Sequence, residues 1–325
     1  MFFSPHQSIR MKVITSAADC DNVAIAATIG MFDGVHLGHI SLINSLKREA
    51  AKRGLKTAVV TFRDHPQNVL HGGNVKWICT LNDRIASIAH TGVDYLILMD
   101  FNPQLAALDS TAFMVMLKRN FGLKSLVVGF NHRFGHNRSE TFFDYQANGK
   151  KIGVEVVKAE EYNGEYAPVS SSIIRHLIVG GDVEAAMHRL DHPYSISGTV
   201  VHGLKNGRKI GFPTANVGEF SDQLILPPNG AYAALARVNG GKLLKAMANI
   251  GTRPTILSNA PISVEVNIFD FDSDIYNQQF TVYFAKRLRP ETQYASLNAL
   301  KEQLLKDREA TKDYLNTLNI NILQS

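Results

Sequence analysis

The sequence predicts two units of different class: an α/β unit over residues 11–190, and a small antiparallel β-barrel closed by a helix over residues 191–325. Three observations predict it. Short apolar runs alternate with amphipathic stretches through the first half, the pattern of a parallel sheet flanked by helices. After Asp191-His192-Pro193 that alternation gives way to short β-rich runs broken by Gly, Pro and Asn, as in small barrels. A single amphipathic stretch, Ser296 to Leu315, then follows the β-rich region.

The first run, Val23 to Ile29, is apolar on both faces and ends at Gly30, which reads as a central strand. Ile40, Ile43, Leu46 and Ala50 recur at helical spacing from His39 to Arg53, where Gly54 stops the pattern. Lys56 to Phe62 is the next strand. A helix over Asn82–Thr91, a strand over Tyr95–Met99, a helix over Ser110–Asn120 and a strand over Ser125–Phe130 continue the series. The sheet is therefore expected to be Rossmann-like, with ligands beyond the carboxyl ends of its strands, at the loops after Ile29, Phe62 and Phe130. Two short helices, Ser170–Val179 and Asp182–Leu190, close the first half. In the last helix Leu297, Leu300, Leu304, Thr311 and Leu315 share a face.

Composition excludes several classes. Thirty-four Lys and Arg against 29 Asp and Glu give a net charge of +5, scattered along the chain, which suits phosphate-bearing small molecules and not nucleic acid. Cys20 and Cys79 stand alone, so no disulfide framework or zinc site is expected, and a reducing, cytoplasmic setting fits. The first residues lack a signal-peptide h-region, and no stretch is apolar enough for a membrane span, so no membrane association is expected. Residues 1–10 are not placed by any pattern.

Between the first strand and its helix stands Gly30-Met31-Phe32-Asp33-Gly34-Val35-His36-Leu37-Gly38-His39. Glycines let backbone approach a phosphate, and a helix start presents free N–H groups and a positive dipole end. His36 and His39, three apart, are expected on one face, each able to donate to phosphate oxygens. Metal ligation by the pair is the alternative, though no third ligand is evident.

This GxFDGxHxGH segment resembles the signature of prokaryotic bifunctional riboflavin kinase/FMN adenylyltransferases; its HxGH part alone marks the broader nucleotidyltransferases. The resemblance implies that Gly30, Phe32, Asp33, Gly34, His36 and His39 bind ATP, with the two histidines in a catalytic role. Ser170-Ser171-Ser172-Ile173-Ile174-Arg175 is similar to the family's SSTxIR-like motif. Its hydroxyls, free N–H groups and fixed cation suit a leaving pyrophosphate, which assigns Ser170, Ser171 and Arg175 to the same site, Arg175 in a catalytic role as well. Gly129-Phe130-Asn131-His132-Arg133-Phe134-Gly135 resembles the flavin side of that site, implying flavin contacts from Asn131, Arg133 and Phe134. Two positions depart from the family's usual pattern: Asn131 stands where many relatives have aspartate, and Asp64 where proline is usual.

A second phosphate-binding pattern runs from Gly203 through Lys209, Gly211 and Pro213 to Thr214-Ala215-Asn216. Glycines can bend N–H groups around phosphates, and strand alternation puts Thr214 and Asn216 on one face, where both oxygens can reach one Mg²⁺. The PTAN tetrapeptide resembles the riboflavin kinase signature, and Pro228–Tyr232, Asn249–Thr255 and Val264–Ile268 follow in the family's order. Gly203, Lys209, Gly211, Pro213, Thr214 and Asn216 are thereby expected at a second ATP site, with Thr214 and Asn216 also on the metal.

Glu265 alternates with Val264 and Val266 and so faces away from them, either into a site or into solvent. The resemblance makes it the base for the ribityl 5′-hydroxyl. Arg289 is expected near the flavin of the kinase site. The implied partners are riboflavin, FMN, FAD and ATP with Mg²⁺, and the implied state is a monomer or weak homo-oligomer. Two rival readings are a flavin-binding regulator with a silent domain and a basic RNA-binding protein, the latter lacking clustered cations and exposed aromatics.

Overall fold

The structure, a computed structural model, describes residues 11–21, 23–130, 134–136, 139–203, 206–252 and 262–318. The chain divides into two compact units between Ser170 and Ser171.

The first unit is built on six parallel strands: β1 (Lys12–Ile14), β2 (Ile25–Ile29), β3 (Lys56–Phe62), β4 (Tyr95–Met99), β5 (Leu123–Val128) and β6 (Glu155–Lys158). They lie in the order β1-β4-β3-β2-β5-β6. Its helices are α1 (Leu37–Arg53), α2 (Pro66–His71), α3 (Leu81–His90), α4 (Pro103–Ala106), α5 (Ser110–Phe121) and α6 (Phe142–Ile152). Strand alternation splits the core in two. Ile25, Ala27 and Ile29 meet Phe113, Leu117 and Tyr145 from α5 and α6 on one face, while Ala26, Val59 and Leu96 meet Ile43, Leu46 and Ile88 from α1 and α3 on the other. Strand order reverses at β2, which pairs with β3 on one side and β5 on the other. A crevice must open at that reversal, and the turn after β2 lies there.

The expected strands and helices are present. The edge strands β1 and β6 and helices α2, α4 and α6 are not among the expected elements; three- and four-residue edge strands are too short for a period to emerge. Helix α1 begins at Leu37, with His36 as its N-cap, and ends at Gly54, whose φ of 63° is the left-handed stop that glycine adopts freely.

The second unit begins with α7 (Ser171–Gly180) and α8 (Val183–Leu190). It continues through β7 (Tyr194–Val201), α9 (Asn206–Lys209), β8 (Ala215–Gly218), β9 (Gly230–Val238), β10 (Leu244–Thr252), β11 (Ile262–Ile268) and β12 (Gln279–Pro290) to α10 (Leu297–Thr317). The strands close a barrel in the order β10-β11-β8-β7-β12-β9. Alternate residues fill it, among them Ile196, Val200, Tyr232, Ala234, Val264, Val266, Phe280, Val282 and Phe284, all buried. The outer wall is covered by α10: Leu304 packs with Phe212, Met247 and Phe269, and Leu315 with Leu235 and Ala285.

The compact units part twenty residues before the division at 190/191 expected from the change of period. Helix α8 packs on β7 and β12, with Glu184 paired to Lys286 at 3.2 Å, so the α7–α8 pair clusters with the barrel. Periodicity registers the change from helix to strand; compactness registers which surface a helix buries. One further local difference concerns residues 206–209, read as part of a glycine-rich turn. They form the single helical turn α9, and a Cβ on Gly207 would lie 2.1 Å from the Phe212 carbonyl oxygen.

Candidate active sites

The turn between β2 and α1 is held in an uncommon backbone shape. Phe32, Gly34 and Val35 have φ of 52°, 80° and 40°, and a β-branched residue there is strained. Phe32 is buried and caps the core under α1. His36 Nδ1 accepts the His39 N–H at 3.3 Å, so the neutral ring carries its proton on Nε2. The His36 and His39 rings stack 3.7 Å apart at an interplanar angle of 15°. Both histidines therefore share one face at the helix start, as their spacing requires. A Cβ on Gly38 would lie 3.2 Å from the His36 ring and 3.5 Å from the Val169 carbonyl oxygen, which is why glycine stands between them. Among the described residues no group of three or more His, Cys, Asp or Glu is arranged around a metal ion.

Asp33 sits differently from its expected contact with ATP. Its carboxylate is fully buried and accepts the Ile78 N–H at 3.0 Å and the Cys79 N–H at 3.3 Å. It fixes the turn against the segment before α3. The Cys79 sulfur accepts the Gly34 N–H at 3.2 Å, and burial together with the neighbouring Asp33 charge pushes its thiol pKa up. Arg84, on α3, is 1 % exposed and donates to the carbonyls of Met31 at 2.9 Å, Phe62 at 2.9 Å and Arg63 at 3.3 Å. Trp77 lies 4.5 Å from its guanidinium. Neither Ile78 nor Arg84 stands out in the sequence, and Cys79 does so only as a lone cysteine. The available signal was that Arg84 shares the α3 face of Ile88, four residues on, where an apolar side chain is expected.

The other residues assigned to this site are distributed as follows. Ser171 opens α7 and Arg175 is half-buried on it; Ser170 immediately precedes that helix. Asn131 and Arg133 lie outside the described residues. Phe134 is not a surface ring: it is 6 % exposed and stacks on Tyr145 at 4.4 Å, inside the core between the sheet and α6. A residue read from its motif as a flavin contact is thus a core residue, because Gly135 (φ 85°) turns the chain back against α5. Asp64 is exposed, immediately ahead of the α2 N-cap His65.

In the second unit Thr214 donates to the Glu265 carboxylate at 3.2 Å. Glu265 is paired in register with Asn216 on β8 and with Asn249 on β10. Asn216 is buried, and its amide occupies the space a Cβ on Gly203 would take. Two cavities meet at this point. One, of about 270 Å³, lies between the outer barrel wall (Met247, Asn249, Glu265, Asn267) and the leucines of α10. The other, of about 550 Å³, is bounded by Arg208, Pro213, Thr214 and the 271–276 loop. Thr214 lines both. Glu265 thus faces a cavity, which decides between the two directions its alternation allowed. Lys209 is exposed on α9, and neither it nor Gly211 or Asn216 lines either cavity.

Arg289 borders the smaller cavity, but its guanidinium is committed to Asp307 of α10, at 2.7 Å and 3.0 Å. Gln303 also donates to Asp307, at 2.8 Å. The expected flavin cation is in this structure the residue that docks α10 on β12.

Residues 19–173 match the family model described as FAD synthetase, and residues 190–315 match the one described as riboflavin kinase. A Bacillus subtilis protein named as a bifunctional riboflavin kinase/FMN adenylyltransferase is 38 % identical over 299 residues, 89 % of this chain and 92 % of that protein. The chain belongs to the bifunctional riboflavin kinase/FMN adenylyltransferase family. An Escherichia coli member is 34 % identical over 289 residues, covering 88 % of this chain and 91 % of its own. A solved structure from Streptococcus pneumoniae, named as a macrolide-efflux protein, superposes with a TM-score of 0.84 and 31 % identity over 93 % of this chain and 99 % of that one. Among the described residues here no helix is long and apolar enough to cross a membrane. The β2–α1 turn falls within the FAD synthetase match and the Thr214–Glu265 pair within the riboflavin kinase match.

Proposed function

We propose that the family's two reactions run in this chain at the two places just described: ATP-dependent phosphorylation of riboflavin around Thr214 and Glu265, and adenylylation of FMN at the turn 30–39. The observation that carries the kinase assignment is the Thr214–Glu265 hydrogen bond at the wall common to two cavities. Riboflavin takes the smaller one, its ring against the leucines of α10, and ATP the larger. Glu265, already accepting a hydroxyl proton from Thr214, takes the proton of the ribityl 5′-hydroxyl. The 5′-oxygen bonds to the γ-phosphorus, the β,γ P–O bond breaks, and FMN and ADP result.

The donor set at this point suits a hard cation. Thr214 Oγ1 and the Asn216 amide oxygen would hold Mg²⁺, which bound with ATP supplies positive charge to its phosphates. Asn216 stands opposite Glu265 in register and Thr214 two residues before it, so one segment orders metal ligand and base together.

In adenylylation an FMN phosphate oxygen attacks the α-phosphorus of ATP and pyrophosphate leaves. No covalent intermediate is required; positioning and charge neutralisation suffice. His36 and His39 donate to the phosphates from the start of α1, while Ser170, Ser171 and Arg175 are assigned by their motif to the pyrophosphate. The protein works in the cytoplasm, as a monomer or weak homo-oligomer, with domains dividing near residue 190.

The test is a product assay. Protein given riboflavin, ATP and Mg²⁺ should yield FMN and FAD. His36→Ala with His39→Ala should stop at FMN, whereas Glu265→Ala should make no FMN yet convert supplied FMN to FAD. Undiminished FAD formation by the histidine double variant would remove the assignment of residues 30–39.

A further inference from the structure

A guanidinium 1 % exposed is costly to bury, yet every hydrogen bond described for Arg84 goes to a backbone carbonyl. Burial depresses its pKa without another residue's side chain accepting from it. The three carbonyls, Met31, Phe62 and Arg63, come from the ends of adjacent parallel strands β2 and β3 and the residues after them. The carboxyl end of a parallel sheet presents C=O groups outward, and this is where the triphosphate of the proposed adenylylation site must arrive. Carbonyl oxygens facing a polyanion repel it; carbonyl oxygens bonded to a cation do not.

The same segment fixes the turn itself. Met31 O accepts from both Thr61 Oγ1 at 3.1 Å and Arg84 Nη1 at 2.9 Å. Two residues on, the Asp33 carboxylate is held by the Ile78 and Cys79 N–H groups, and the Gly34 N–H is held by the Cys79 sulfur. Phe32, with its φ of 52°, lies between two clamped points. Strained backbone persists only where its surroundings over-determine it. Here the surroundings are β3 and residues 78–84.

We propose that Arg84 is a positioning residue for adenylyl transfer. It locks the 31–34 backbone into the form that receives the phosphates of ATP, and it neutralises the strand-end carbonyls that would face them. The proposal rests on the assignment of residues 30–39 to this reaction. Arg84 is buried against backbone carbonyls, so its loss acts through the turn, where a displacement of about 1 Å can cost on the order of 10²-fold in rate.

The experiment measures both reactions of the full-length protein for Arg84→Met and Arg84→Lys. The expected result for Arg84→Met is a roughly 100-fold fall in kcat/KM for ATP in FMN adenylylation, with the KM for FMN and the riboflavin kinase rate unchanged. Arg84→Lys keeps the charge but cannot span the loops after β2 and β3, and should fall between Arg84→Met and the parent. A general loosening of the unit would raise both substrates' KM together and would give no such order. Unchanged ATP kinetics in Arg84→Met, or an FMN KM rising in step with that for ATP, overturns the proposal. If Arg84→Met shows no cooperative melting of the first unit, Arg84→Lys decides by the same criteria. The His36→Ala, His39→Ala double variant separates the two readings. If it retains adenylylation, the site assignment fails; if it loses adenylylation while Arg84→Met does not, only the role of Arg84 fails.

Discussion

The pair Arg289–Asp307 sets what holds the wall of the kinase cavity. Its side chains are 19 % and 5 % exposed, and Nε and Nη2 of Arg289 both reach the carboxylate. Arg289→Met leaves Asp307 buried with Gln303 as its remaining described partner. Removing one member of a buried pair costs about 3–5 kcal/mol, mostly the penalty of the charge left behind. For a unit of this size each kcal/mol lowers Tm by roughly 2–4 °C, so the single variant should melt roughly 6–20 °C lower. The apolar double variant Arg289→Met, Asp307→Leu should recover most of that loss, since buried pairs are often replaceable by hydrophobes. Differential scanning calorimetry of the parent, both singles and the double gives the coupling energy. Because α10 also carries Leu297, Leu300 and Leu304 along the cavity, the KM for riboflavin should rise in the single and return in the double. A coupling energy below about 1 kcal/mol, the range of exposed pairs, would refute the view that this pair docks α10.

Other outcomes follow from the same geometry. Glu265→Gln keeps the shape but removes the base, and kcat for FMN formation should fall by about 10²–10⁴-fold with little change in KM for riboflavin; a loss seen only in KM would mean that Glu265 binds without accepting the proton. Gly38→Ala adds a helix-favouring residue, worth up to about 1 kcal/mol, but its Cβ would lie 3.2 Å from the His36 ring. Adenylylation should therefore drop while thermal stability holds, a split that melting curves and a FAD assay read directly. Burial and the Asp33 charge raise the Cys79 pKa, leaving less thiolate at a given pH. Folded protein at pH 8 should accordingly alkylate at Cys79 far more slowly than unfolded protein, as peptide mass mapping with iodoacetamide would show; rapid labelling would place the sulfur elsewhere.

Much of this was legible in order along the chain. The central strands carry near-continuous apolar runs because both faces of β2 and β3 are covered. Strand β7 alternates because one of its faces fills the barrel interior. Three-residue spacing at a helix start is enough to stack His36 on His39, and two-residue spacing on a strand is enough to put Glu265 opposite the face of Val264 and Val266. These are consequences of local geometry, and local geometry is written in sequence.

Tertiary structure decided what each polar group faces. Asp33 and Phe134 belong to motifs that suggest ligand contact, yet the fold turns one onto the backbone of residues 78–79 and the other into the core. Arg289 reads as a free cation until α10 folds back and brings Asp307 to it, eighteen positions later. Arg84 sits on the apolar face of its helix, and only the meeting of β2, β3 and α3 supplies the three carbonyls that make a buried cation tolerable. Sequence periodicity determines which way a side chain leaves its own element. Whether it meets a carbonyl, a carboxylate or a cavity depends on chain segments brought in from elsewhere, and that only the folded structure settles.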